Sequence, residues 1–240
     1  MNLSGILLLT AFTNRSQAYA QALASARLSP EKVILFGSPR TAKPLDQGRT
    51  NGVEEIEGLF LPDLDEPLEA TVARAGWDVQ HCSAKDINDP AISRLLIDLK
   101  PRLVIYSGYG GQLVDAAVLD LGFDFLHLHG GWLPDYRGST TVYYSWLKEG
   151  RCGVSALILD KEIDSGPIVA RRRYPLPPRG MDVDRYYDNM IRADLLVDVL
   201  RDFAALGTLP RIPNEGGGLT YYVIHPVLKH LALLSLEATR

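Results

Sequence analysis

Two histidines one residue apart, His127 and His129, lie in the apolar run 123–129, which reads as a strand. Strand residues i and i+2 share a face, so both imidazoles point to one side near the strand's carboxyl end. Open α/β sheets place their sites at that end. Imidazole trades protons near neutral pH and also binds metals, so the pair suits acid–base work or metal ligation. The loop that follows, Gly130-Gly131-Trp132-Leu133-Pro134-Asp135-Tyr136-Arg137-Gly138, has three glycines for close backbone approach and a Leu-Pro step that restricts its path. A second segment, Asp160-Lys161-Glu162-Ile163-Asp164-Ser165-Gly166, joins two strand-like runs and by composition alone equally describes a charged turn. A third, Thr13-Asn14-Arg15-Ser16, stands where a strand gives way to a helix. Asn14 or Ser16 suits the helix cap, while backbone N–H groups beside an arginine also form a site for a substrate phosphate or carboxylate.

The elements that must position these residues follow from periodicity. Short apolar runs alternate with longer helix-like stretches: strand 5–10, helix 14–27, strand 32–37, and later helix 89–99 feeding strand 102–107. Asn88-Asp89-Pro90 reads as the cap and first turn of that later helix. Beyond it come the turn Ser107-Gly108-Tyr109-Gly110-Gly111, a short helix over 115–119, the histidine strand, strands over 154–160 and 168–173, and a helix over 182–206. Residues 38–64, rich in Gly, Pro, Asp and Glu, predict an irregular excursion from the sheet. The expected fold class is α/β: a Rossmann-like, mostly parallel twisted sheet flanked by helices, with a short C-terminal helical and aromatic extension. The expected division is a catalytic domain over 1–206 and an extension over 207–240 that packs on it. Tyr221, Tyr222 and His225 in that extension read as packing or surface groups with no assigned role.

Taken in order, the motifs resemble those of the formyltransferases that use 10-formyltetrahydrofolate. That family carries Asn-x-His, Leu-Pro-x-Tyr-Arg-Gly, Gly-Val-Thr and Asp-x-x-x-Asp-x-Gly. The corresponding stretches here are His127-Leu128-His129, Leu133-Pro134-Asp135-Tyr136-Arg137-Gly138, Gly153-Val154-Ser155 and residues 160–166. Upstream, Lys100-Pro101-Arg102-Leu103-Val104-Ile105-Tyr106-Ser107-Gly108-Tyr109-Gly110 is similar to the family's strand and glycine turn beside the folate. The resemblance implies that His129 handles a proton as an amine attacks the formyl carbon and that Asp164 orders the histidine and a water. It implies folate contacts from Tyr106, Ser107, Gly108, Tyr109 and Asp160, and substrate contacts from Asn14, Arg15, Ser16 and Arg137. His127 stands where the family has asparagine. An amide N–H never titrates, whereas an imidazole donates only in the right tautomer or when protonated, so oxyanion stabilisation by His127 would depend on pH.

Composition narrows the partners. A chain of 240 residues, 46% hydrophobic and 22% charged, can bury a core. Its formal net charge of -4 gives no bulk attraction to nucleic acid or anionic membrane. The N-terminus has no basic region or cleavage pattern of a signal peptide, and no apolar run reaches the ~20 residues that span a bilayer. Cys82 and Cys152 match no metal or redox spacing and read as reduced, buried thiols, which makes cytoplasm the default compartment. The expectation is therefore formyl transfer from 10-formyltetrahydrofolate to the amine of a small molecule, such as an amino-sugar nucleotide, an amino-acid-type amine or a purine precursor. No metal, no membrane and no tRNA partner are expected, and oligomeric state stays open. Two alternatives remain: a metal-dependent hydrolase built on His127, His129 and Asp164, and a noncatalytic folate-binding relative.

Overall fold

Ile6-Leu7-Leu8-Leu9 is apolar at successive positions, so a strand there has no face for solvent and belongs inside a sheet covered on both sides. The computed structural model describes residues 1–39, 56–216 and 218–238 and places this strand in the middle of the sheet. In chain order the elements are β1 (Asn2–Ala11), α1 (Asn14–Ser25), β2 (Ser29–Phe36), α2 (Leu68–Arg74), β3 (Val79–Cys82), α3 (Pro90–Leu99), β4 (Leu103–Ser107) and α4 (Ala116–Leu119). Then come β5 (Phe125–His129), β6 (Tyr136–Gly138), α5 (Thr141–Glu149), β7 (Cys152–Ile158), β8 (Ile168–Tyr174), a π-helical turn (Val183–Tyr187), α6 (Asp188–Leu206), β9 (Leu219–Tyr221) and α7 (Pro226–Ala238).

Seven strands form one sheet in the order β3-β2-β1-β4-β5-β7-β8. The first five pair in parallel and β7 pairs antiparallel with both β5 and β8, so the sheet is mostly parallel and mixed at one edge. The chain first steps outward from β1 to β3, then restarts on the other side at β4. That reversal opens a crevice beyond the carboxyl ends of β1 and β4, the place where such sheets bind ligands. Leu126 and Leu128 of β5 belong to the larger core with α1, α5 and α6, while Tyr106 and Phe125 belong to a second core under α3. With alternating residues on opposite faces, His127 and His129 are turned away from the larger core.

Several local expectations change. Thr13 caps α1, its hydroxyl accepting from Ser16 N at 3.1 Å, so neither Asn14 nor Ser16 is the cap. The Ser16 hydroxyl instead meets Ser107 Oγ at 2.9 Å, because β1 and β4 are adjacent and bring the two turns together. The helix expected over 182–206 begins as a π-helical turn, with Asp182 accepting from Arg185 N. Asp89 caps α3 as read from the sequence, and Cys82 and Cys152 are buried free thiols. Of the irregular excursion over 38–64, residues 40–55 lie outside the described residues, as does Gly217 in the C-terminal glycine run. The short elements α2, β3 and β6 and the helix α5 carried no signal strong enough to read in advance, whereas β9 and α7 lie in the expected helical and aromatic extension. In the C-terminal segment β9 pairs in parallel with β6, and Trp146 of α5 donates to Ser235 Oγ of α7 at 3.0 Å.

Candidate active site

The β4–β5 register covers only Val104↔Phe125 and Ile105↔Leu126, so beyond Leu126 the histidine segment is paired with β7 alone. His129 lies opposite Ser155 and is 4% exposed. Its Nε2 is 2.7 Å from Tyr136 O and 3.3 Å from Thr141 Oγ1. A carbonyl only accepts, and the Thr141 hydroxyl donates to Gly130 O at 2.6 Å, so Nε2 carries the hydrogen. The neutral ring therefore presents a bare Nδ1, and Asp164 Oδ2 stands 3.4 Å from it. Gly131 backs the ring: a Cβ there would lie 2.5 Å from Nε2 and 2.7 Å from Tyr136 O, so only glycine admits the imidazole.

Asp164 arrives on the loop between β7 and β8 and is 8% exposed, with φ +50. Its Oδ2 accepts from Gly138 N at 2.7 Å, which ties the carboxylate to the end of the loop that carries Tyr136. Burial lowers the pKa of His129 below the usual histidine value, against the opposing pull of Asp164. The ring is thus neutral at pH 7, with a carboxylate waiting where positive charge would form. His127 is half-buried, and burial with Arg15 and Arg192 nearby holds its pKa well below the usual value. Its Nδ1 is buried and has no hydrogen-bond partner among the described residues.

The remaining predicted residues fall into two groups. Tyr106, Ser107, Gly108 and Tyr109 run from β4 into the crevice. The Tyr106 ring is tilted against His127 with centroids 6.4 Å apart, and its buried hydroxyl is unpartnered among the described residues. Burial pushes that phenol up to about 12, so it stays protonated and able to donate. Tyr109 meets Phe36 edge-on at 6.0 Å. Arg15 donates from Nη2 to Gly108 O at 2.5 Å and from Nε to Ser107 Oγ at 3.4 Å, so α1 and the β4 turn form one wall with Asn14 and Ser16 on it. Asp160 and Arg137 stand apart from this wall. Asp160 accepts from its neighbour Lys161 N at 2.6 Å, and Arg137 donates to Asn214 O at 3.1 Å.

Four residues that sequence reasoning did not single out belong to the same neighbourhood. Thr141 braces His129, and Asn214 donates to Asp164 O and Gly166 O. Arg192 of α6 donates to Leu128 O at 2.5 Å, between the two histidines, and to Asp188 Oδ2 at 2.8 Å. The one available signal was the i,i+4 Asp188–Arg192 spacing beside Met190, Ile191 and Ala193, a charged pair among apolar residues. Tyr221 stacks on Tyr136 at 5.5 Å and lies 4.4 Å from the Tyr144 ring, whereas Tyr222 is exposed and His225 accepts from Val227 N. Among the described residues no group of three His, Cys, Asp or Glu is arranged to hold a metal ion, and no helix is long and apolar enough to cross a membrane.

Known proteins resemble this chain to different depths. The family model described as formyl transferase matches residues 11–197. Among curated relatives, the methionyl-tRNA formyltransferase of Roseiflexus sp. (strain RS-1) is 27% identical over 80% of this chain and 62% of its own length. That of Chloroflexus aggregans is 35% identical over 72% of this chain and 59% of its own. The chain thus spans about three fifths of the curated relatives it matches. Among solved structures, a sugar N-formyltransferase from Shewanella sp. FDAARGOS_354 superposes with a TM-score of 0.60 at 13% identity, covering 96% of this chain and 87% of that one. The phosphoribosylglycinamide formyltransferase of Streptococcus pneumoniae TIGR4 superposes at 0.56 and 17% identity, covering 85% and 98%. These structural likenesses show the fold. The sequence relatives overturn the expectation that tRNA is not a partner, since their names give tRNA as what they act on. That expectation rested on net charge. Net charge averages the whole surface and does not describe the one face an acceptor meets.

Proposed function

The chain belongs to the formyl transferase family, and from that premise we propose that it moves a formyl group from 10-formyltetrahydrofolate onto an amine. The observation that carries the reading is His129, with Nε2 committed to Tyr136 O and Nδ1 facing Asp164, beside an unpartnered Nδ1 of His127. When bound, the folate supplies an electrophilic formyl carbon. The crevice suits such a group. A Cβ at Gly108 would lie 2.0 Å from the Tyr106 hydroxyl, so the turn leaves no spare room beside the ring, and that hydroxyl is itself an unmatched buried donor. Tyr106, Ser107, Gly108 and Tyr109 would hold the donor from β4, with Asp160 from the facing loop.

Each residue then has one task. His129 accepts at Nδ1 the proton that the attacking amine must shed, Asp164 stabilises the imidazolium that results, and that proton would pass to the donor nitrogen as its bond to the formyl carbon breaks. His127, kept neutral by burial, offers an N–H toward the formyl oxygen as negative charge gathers there, the task of asparagine in the family motif. Arg15 and Ser16, with Asn14 at the start of α1, would hold an anionic part of the acceptor. Arg137 lies closer to the C-terminal segment and would meet the acceptor from the other side. The acceptors expected from the sequence, joined by the tRNA named for the relatives, define the test: 10-formyltetrahydrofolate with methionyl-tRNA, an amino-sugar nucleotide, a purine-precursor amine and a free amino acid. Release of tetrahydrofolate with formylation of one amine is the expected result. Formate release independent of any amine would make the chain a hydrolase, and donor binding with neither outcome would leave it a noncatalytic relative.

A further inference from the structure

Asp164 is a non-glycine residue in the left-handed region, with φ +50, a conformation that costs an L residue free energy and persists where its surroundings hold it. Its carboxylate is held by Gly138 N, but that bond acts at the side chain and does not set the backbone. The backbone is held by another residue. The side-chain amide of Asn214 donates to Asp164 O at 2.8 Å and to Gly166 O at 3.0 Å, using both hydrogens of one nitrogen. Asn214 is 9% exposed and is itself anchored on two sides. Two residues earlier, Ile212 exchanges backbone hydrogen bonds with Ile168 at the start of β8, at 2.9 and 2.8 Å, and Arg137 donates to Asn214 O.

We infer that Asn214 is a positioning residue for Asp164, holding the turn that sets the carboxylate against His129; this rests on the roles proposed above for Asp164 and His129. A side chain serving only to fill space would be apolar. Asn214 instead leaves its own Oδ1 buried and unpartnered among the described residues while satisfying two carbonyls on the loop. Those two carbonyls flank Ser165, so one amide spans the bend on which Asp164 sits. The segment after α6, outside the sheet, thereby takes part in setting the geometry of the β7–β8 loop.

The test compares wild type, Asn214→Ala, the near-isosteric Asn214→Asp, Asp164→Asn, and Asn214→Ala combined with Asp164→Asn. Misplacing a catalytic group by a fraction of an ångström to an ångström predicts a kcat about 10- to 100-fold lower in both Asn214 variants. KM for donor and acceptor should change by less than about threefold, since the side-chain amide of Asn214 is committed to Asp164 O and Gly166 O. The double variant should be no slower than Asp164→Asn alone, because Asn214 acts only through Asp164. NMR titration of the His129 ring supplies a readout that needs no turnover. Asp164 raises that pKa, so loosening it should move the titration lower, in the direction of Asp164→Asn. Folded Asn214 variants with wild-type kcat and an unmoved His129 titration would overturn the inference. So would a loss that adds in full to that of Asp164→Asn. If wild type formylates no amine, the proposed function fails, while the titration still decides the role of Asn214.

Discussion

At the scale of single residues, the proposed mechanism separates proton transfer from charge stabilisation. Asp164→Asn and His129→Ala should each lower turnover by about 10²-fold or more while leaving the fold intact, which steady-state kinetics alongside circular dichroism will check. Near-normal rates in both would remove the proposed mechanism. The acid side of the pH–rate profile carries a second expectation. Burial lowers the His129 pKa, so activity should persist below the ordinary histidine value near 6.5 and fall only at lower pH, as Nδ1 becomes protonated. His127 offers the sharper test, because asparagine supplies an N–H that does not titrate. His127→Asn should keep substantial activity, whereas His127→Ala should lose about 3 kcal/mol of transition-state stabilisation. If Asn proves as damaging as Ala, His127 has a task that an amide cannot perform.

Elements act on the site by what they bring into contact. The loop after β5 passes so near His129 that Gly131→Ala would drive a Cβ to 2.5 Å from Nε2 and 2.7 Å from a backbone carbonyl, neither of which yields cheaply. That variant should lose most of its turnover, with the largest change in kcat, and a variant active at wild-type rates would show that the loop can retreat. Behind the loop, α6 contributes the Arg192–Asp188 pair, whose side chains are 13% and 19% exposed. Removing one charge from such a pair leaves the other poorly solvated. Arg192→Met should therefore cost about 3 kcal/mol in urea unfolding, and adding Asp188→Leu should recover a good part of it. Equal destabilisation in the single and double variants would mean that the pair acts through packing alone.

The whole molecule registers the two histidines as acid sensitivity. Both have folded-state pKa values below the unfolded value near 6.5, so below that pH the unfolded chain binds more protons than the folded one. Their contribution is intact above 6.5 and is lost as pH falls toward the folded values, each histidine adding a slope of at most about 1.4 kcal/mol per pH unit. Urea midpoints at pH 7.5 and 5.5 will measure it. His127→Asn should be less acid-sensitive than wild type, and an identical slope in the two proteins would show that His127 titrates alike in the folded and unfolded chains.

Periodicity alone determined much of this protein. The apolar run of β1, the capped helix α3 after Asp89 and the strand ending in His129 are local patterns, written in consecutive side chains, and they specify an α/β sheet with its chemistry at a carboxyl end. The order of the motifs around His129, Asp164 and Gly138 likewise sufficed to indicate the family. What periodicity does not carry is contact between distant segments. That Ser16 meets Ser107, that Arg192 reaches Leu128 O, and that Asn214 holds Asp164 follow from strand order and helix packing, which bring together residues 91, 64 and 50 positions apart. The short element β6 was illegible for the same reason. It has three residues, too few to show an alternation, and is a strand only because β9 lies beside it. The candidate site was legible where one strand and one loop hold it; the support beneath it came into being only when the chain folded.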